Sequence, residues 1–317
     1  MTPQRPTRHA ADPATAPSNA RGLMYFTLAA LLCGGGMFLA SMGHAWLWAA
    51  AQISIALGFV MWFVLLHECG HRTLFRSRWL NRAAGTVAAF MALIPPTAWR
   101  HVHAYHHVWT GWQDRDLTTM ALVPRKVARW EGWIINAAWR TGLPLFSLLY
   151  RVQNYWNAAR LARYFHPAVA RRIRLENLVW LLAYVALLVI VGPATLVRLC
   201  GLGLLLALAI EDLLLVSQHT HMPTRRASGE KVTPFSGAEQ QVSTRSLRLP
   251  GWLSWLWLHF DAHELHHLHV RVPGYHLRAL PDATPNEVHW WRWLCAVKRL
   301  SGVDFMFGAR EQTGMML

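Results

Sequence analysis

Residues 46–71 read WLWAAAQISIALGFVMWFVLLHECGH, and the join at position 67 decides the fold. Up to Leu66 the stretch carries no charge. It reaches the roughly 20 residues a helix needs to cross the hydrocarbon core of a bilayer. His67 and His71 follow at i, i+4, one helical turn apart on one face. The spacing predicts a membrane helix that continues out of the bilayer and ends in a metal-type histidine pair.

Three further spans lie outward from this segment. Residues 23–42 precede it across a short turn at Gly43-His44, and 178–191 and 196–216 form a second pair hinged at Gly192-Pro193. The third span is short before its Gly-Pro break. Residues 83–95 and 133–150 are apolar but too short or too interrupted to span, and are expected as helices in the interface. The chain is 54% hydrophobic and 15% charged, below the roughly 25% charge of soluble domains. Its 18 Trp residues suit a protein with two membrane–water boundaries. The expected fold is an all-α membrane protein, with about four transmembrane helices in two hairpins beneath a helical cap. A disordered basic tail is expected over 1–21, one domain over 22–300 and a C-terminal tail over 301–317. A signal peptide is not expected, because the first apolar stretch is too long and another succeeds it.

Charge sets the orientation. Every Lys and Arg except Arg198 lies before the first hairpin, between the hairpins or after the second. By the positive-inside rule both termini and the middle segment are cytoplasmic, and every histidine-rich segment falls on that face. The net charge of +15 therefore needs no nucleic acid to explain it. Cys33, Cys69, Cys200 and Cys295 show no C-x-x-C spacing, so neither a disulfide framework nor an iron–sulfur motif is indicated.

Two more histidine boxes follow the first: His103, His106 and His107, then His263, His266 and His267. Together the boxes offer eight imidazoles, too many for one tetrahedral zinc. Imidazole suits iron, copper, nickel and zinc alike, so spacing leaves the metal open. Neutral ligands leave the metal charge uncompensated. Acids should therefore orient the imidazoles from behind, and Glu68, Asp114, Asp116, Asp261 and Glu264 are placed for it. Glu211 and Asp212, near the end of the fourth span, could orient a ligand or simply mark that end. Boxes one and three also fit H-E-x-x-H, the zinc metalloprotease motif, a reading that leaves the second box unused. A membrane metal carrier is a further alternative, although transporters hold their ligands near mid-bilayer.

The flanks add to this. Phe75, Trp79 and Leu80 follow box one; Pro95, Trp99 and Arg100 lead into box two, with Thr110 and Asp116 after it. Gln218-His219-Thr220-His221 follows the fourth span, and Asp261 precedes box three by two residues. Over roughly 55–280 the chain resembles the membrane fatty acid desaturases, most closely the Δ12-type acyl-lipid branch. The resemblance implies two non-haem irons held by the eight box histidines and by His219, with His221 the lesser candidate. Many relatives carry Asn where this chain has His259, which implies an extra ligand or a held water there.

The resemblance further implies an oxidoreductase that uses O2 to introduce a double bond into an acyl chain. Acetylenic bond formation, hydroxylation and carotenoid ketolation use the same scaffold. The acyl group could ride on lipid, CoA or acyl carrier protein. No haem or flavin motif is visible, so electrons are expected from a ferredoxin or a cytochrome b5-like donor with its reductase. The expected location is a bacterial inner membrane. The basic residues Arg125, Lys126, Arg129, Arg171, Arg172 and Arg174 could meet an anionic head group, the donor protein or anionic lipid.

Overall fold

The computed structural model describes residues 13–308. Four helices are long and apolar enough to cross a membrane. They are α1 (Asn19–Ser41), α2 (Ala45–His71), α7 (Pro167–Val191) and α8 (Pro193–His219). The remaining helices used below are α3 (Arg78–Met91), α4 (Pro96–Trp109), α5 (Arg129–Thr141), α6 (Leu145–Arg151), α9 (Gly251–Leu256), α10 (His263–Leu268), α11 (Trp290–Val297) and α12 (Gly302–Phe307). Two-residue strands, β1 (Leu247–Arg248) and β2 (Val288–His289), pair in parallel.

The expected spans are all present, and the third is longer than its apolar run. The helix starts at Pro167, where proline's missing N–H costs nothing. Arg171, Arg172 and Arg174 thus ride on its first turns. Both hairpin turns use a glycine in the left-handed region, Gly43 at φ 80° and Gly192 at φ 85°. Trp48 Nε1 donates to the Arg198 carbonyl at 2.7 Å, which ties the two turns together at one end of the bundle. The lone far-side arginine therefore stands at the opposite end of α2 from the histidines.

α2 is the central element: 72% of its apolar window is buried, against 17% for α7, whose surface is left for lipid. Close crossing with α1 needs a small residue, since a Cβ on Gly58 would lie 2.6 Å from Cys33 Sγ. The packing matches the small-residue contacts of helices in lipid. Gln52, buried between α2 and α8, donates to the Leu199 carbonyl and accepts from Gly203 N–H, so neither end of its amide is stranded.

Residues 83–95 and 133–150 form α3, α5 and α6, none of which qualifies as a span. α5 buries none of its residues and exposes Trp130 and Trp133, as an interface helix does. The two expected tails are shorter than drawn. α1 starts at Asn19 behind Ser18, whose N–H donates to Tyr275 Oη at 2.8 Å. Residues 302–307 form α12, which packs along α5, with Gly302 against Trp139. Residues 1–12, with His9, and 309–317 lie outside the described residues.

Glu211 and Asp212 do not reach the histidines. Glu211 forms a buried ion pair with Arg151, whose other nitrogens donate to the carbonyls of Ala92 and Ser147. Asp212 accepts from Ser147 N–H at the start of α6. Both acids fasten α6 to α8.

Candidate metal centre

The histidines converge where the ends of α2, α4 and α8 meet α10. α2 runs without a break through box one and stops at Arg72, which takes the left-handed conformation at φ 65°. Gly70 makes room for the next element: a Cβ there would lie 1.9 Å from Trp99 Cζ3. The glycine of the first box is thus a packing requirement, because Trp99 stacks on His103 at 4.5 Å.

Nine imidazoles form two groups. His67, His71, His103, His107 and His266 make the first; His106, His219, His263 and His267 make the second. Within each group the candidate ligand atoms all lie within 4.8 Å of one another. The division follows from helical rotation. Residues i and i+4 nearly superpose in projection, whereas i+3 lies about 100° from i+4. Each H-x-x-H-H box therefore sends its i, i+4 pair to one group and its middle histidine to the other. His103 and His107 face the first group and His106 the second; His263 and His267 face the second and His266 the first.

Hydrogen bonds at Nδ1 orient the rings. His106 Nδ1 meets Asp116 Oδ2 at 2.7 Å and Thr118 Oγ1 at 3.0 Å. His219 Nδ1 donates to the Ser243 carbonyl at 3.0 Å, and His267 Nδ1 to Gln240 Oε1 at 3.0 Å. His67 Nδ1 lies 3.3 Å from Glu68 Oε1, which Thr73 and Gly274 hold through Oε2. With the proton on Nδ1, Nε2 presents a lone pair inward.

Those inward atoms crowd one another. His219 Nε2 lies 2.9 Å from His263 Nε2, and His263 Nε2 lies 3.2 Å from His267 Nε2. In the first group, His71 to His103 is 2.7 Å, His103 to His107 is 3.0 Å and His107 to His266 is 3.0 Å, all between Nε2 atoms. His67 Nε2 is buried with no hydrogen-bond partner. Converging lone pairs repel unless a cation stands among them, so the donor set fits one borderline metal ion in each group. Burial, reinforced by the neighbouring imidazoles, holds His103, His107, His263, His266 and His267 well below the usual histidine pKa. They are neutral near neutral pH, the state in which an imidazole can bind a metal. Burial works against ionisation of Asp116, yet His106 and Thr118 N–H prevail and hold its carboxyl below the usual range.

The five acids divide. Glu68 and Asp116 each meet a box imidazole, and the other three do not. Asp114 accepts from the N–H groups of Ala227 and Ser228 at 2.8 Å each, clamping a loop. Asp261 accepts from Ser254 Oγ at 2.7 Å and pairs with Arg278. Glu264 accepts from Asn286 N–H at 3.0 Å. His259 and His221 belong to neither group; His259 Nδ1 instead meets Ser254 Oγ at 2.8 Å. Gln240, Ser243 and Thr118 are orienting groups that the sequence reading missed. Gln240 and Ser243 sit in a one-turn helix and the 3-10 turn after it, and Thr118 in a turn, all too short to show periodicity, and a carbonyl such as that of Ser243 leaves no residue-type signal.

An apolar cavity of about 460 Å³ lies between α5, α6, α8 and α12, walled by residues such as Ile135, Phe146, Leu149, Ile210 and Leu213. Thr118, Leu122, Phe146 and Tyr150 also line a chamber of about 40 Å³ that touches His67, His103, His106, His219 and His263. The apolar space thus abuts both histidine groups.

The sequence model of the family described as "Fatty acid desaturase" matches residues 44–293. The chain belongs to this family. It is 25% identical over 241 residues to the sn-1 oleoyl-lipid 12-desaturase of Synechocystis sp., covering 74% of this chain and 65% of that protein. It is 28% identical over 244 residues to the endoplasmic reticulum omega-6 fatty acid desaturase of Brassica juncea, covering 70% and 62%. A fatty acid desaturase of Bacillus subtilis is 26% identical over 258 residues, covering 77% and 70%. The chain spans just under two thirds of the length of the first two. In the desaturase family member described here, all three boxes and His219 fall at the two groups.

Proposed function

We propose that the protein is an O2-dependent fatty-acyl desaturase of the membrane, its domain spanning 22–300. Two irons would be held by His67, His71, His103, His107 and His266 on one side and by His106, His219, His263 and His267 on the other. The observation that carries this reading is the pair of imidazole groups at the wall of an apolar cavity. Bound iron would supply oxygen activation and hydrogen abstraction from an unactivated alkyl chain.

Overall, two C–H bonds break and a C=C bond forms. O2 is reduced to two molecules of water. Two electrons and two protons come from outside the substrate. The protein's part is position and exclusion of water: the cavity wall fixes the register of the alkyl chain against the chamber. Burial pushes the Tyr150 phenol up to about 12, so it keeps its proton where cavity and chamber meet. Asp116, Gln240 and the Ser243 carbonyl hold His106, His267 and His219 with Nε2 inward. The electrons would come from a ferredoxin or a cytochrome b5-like donor with its reductase. The acyl group would be carried on lipid, CoA or carrier protein, and the relatives' names favour lipid. The charge distribution supports a cytoplasmic histidine face and cytoplasmic termini; the membrane would be a bacterial inner membrane.

Expression in a host lacking the activity, with mass spectrometry of the acyl chains, tests this. New double bonds are expected. A triple bond, hydroxyl or keto group would assign a sister reaction on the same scaffold, and unchanged lipids from an iron-loaded protein with a working donor would refute the proposal.

A further inference from the structure

The reaction proposed above makes water and consumes protons beside a cavity that an alkyl chain would fill. A second cavity answers this need. It measures about 160 Å³ and is walled by His219, Gln113, Thr119, Thr220, Thr224 and Arg226. One water needs about 10–15 Å³ of such space and a few polar partners, so several fit. Thr119, Leu122, His219 and Thr220 line both this pocket and the chamber between the histidine groups. At its outer edge Thr224 and Arg226 are exposed.

The walls are fixed. Gln113 N–H donates to the Arg225 carbonyl at 2.9 Å, and Arg225 N–H to the Gly111 carbonyl at 2.8 Å. Asp114, which touches no ligand histidine, pins the same loop at Ala227 and Ser228. Leu122 lines all three cavities, and Met306 lines the apolar and the polar one. These two side chains stand between the apolar cavity and the polar one.

We propose that the polar pocket is the aqueous port of the metal centre. Water leaves and protons enter past His219, while Leu122 and Met306 keep this traffic off the acyl chain. The inference rests on the metal-centre reading above.

The probe is azide, a small anion that binds ferric iron and can be followed by its absorption band in the purified, iron-loaded full chain. Thr224→Trp narrows the port and should slow azide binding about tenfold, the effect of an added barrier of about 1.4 kcal/mol. Arg226→Trp tests the same opening independently. Leu149→Trp narrows the apolar cavity and should leave the azide rate unchanged while lowering turnover. Leu122→Ala breaches the partition and should raise the O2 consumed per double bond. An azide rate unchanged in both port variants, or slowed by Leu149→Trp instead, overturns the port alone. A parent protein that binds no iron overturns the port and the metal-centre reading together.

Discussion

The two histidine groups are built to different standards. In the four-histidine group, Asp116, the Ser243 carbonyl and Gln240 fix three of the rings from behind. In the five-histidine group, among the described residues, one ring is so held, His67 by Glu68 at the longer distance of 3.3 Å. Each group also has one Nδ1 buried with no partner, His107 in the five-histidine group and His263 in the four-histidine group. The five-histidine group has more imidazoles and the four-histidine group has better-held ones. A pre-organised site loses less conformational freedom on binding, so the four-histidine group should take its ion first and hold it harder.

Removing a ligand should have the largest effect. His106→Ala or His266→Ala should abolish product while the protein stays in the membrane, measured by lipid analysis and membrane fractionation. The two should differ in metal: His266→Ala leaves the tighter ion in place, whereas His106→Ala weakens it. Equal metal loss from both would break the asymmetry.

Orienting groups come next. Asp116→Asn should weaken metal at the four-histidine group by about 10–100-fold, read by competition with a chelator. Gln240→Ala should fall at the low end of that range, with Gln240→Glu restoring the acceptor for His267. Glu68→Gln should act on the other group and change less.

Acidification sharpens the same contrast. The ligand imidazoles are depressed in the fold, so as pH falls below the unfolded value near 6.5 the unfolded chain takes up more protons than the folded one. Metal-free protein should therefore lose thermal stability as pH drops from 7 to 5; bound metal should raise the melting temperature without flattening that slope, because it too keeps the folded imidazoles deprotonated. A metal-free melting temperature that stays flat or rises on acidification would contradict the neutral assignment. The smallest effect belongs to Asp114→Ala: it should cost about 1–3 kcal/mol through unpaired loop N–H groups and leave metal content unchanged.

Much of this was legible in the sequence because it is periodic. Hydropathy and charge are summed over tens of residues, so the spans, the hairpins and the interface segments stand out. The exception is instructive: α7 begins at Pro167, ahead of its apolar run, and because its first turns are basic an apolar window cannot see them. The histidine boxes are legible for the same reason, since i, i+3 and i+4 fix rotation on a helix. Their partition between two groups follows from that rotation. The supports were read less well. Acidic side chains near a box are ambiguous, because Asp114, Asp261 and Glu264 satisfy loop N–H groups, a serine or an arginine as readily as an imidazole. Gln240 reaches His267 by loop closure, which no spacing rule encodes. His259 spends its Nδ1 on Ser254 and leaves the second group at four.

Metal analysis of the purified full chain, set beside the His106→Ala and His266→Ala variants, tests the central claim most directly. Iron should be present at one ion for each of the two histidine groups, with the tighter ion surviving in His266→Ala and not in His106→Ala. Stoichiometric zinc at a single site, unchanged by either substitution, would contradict it.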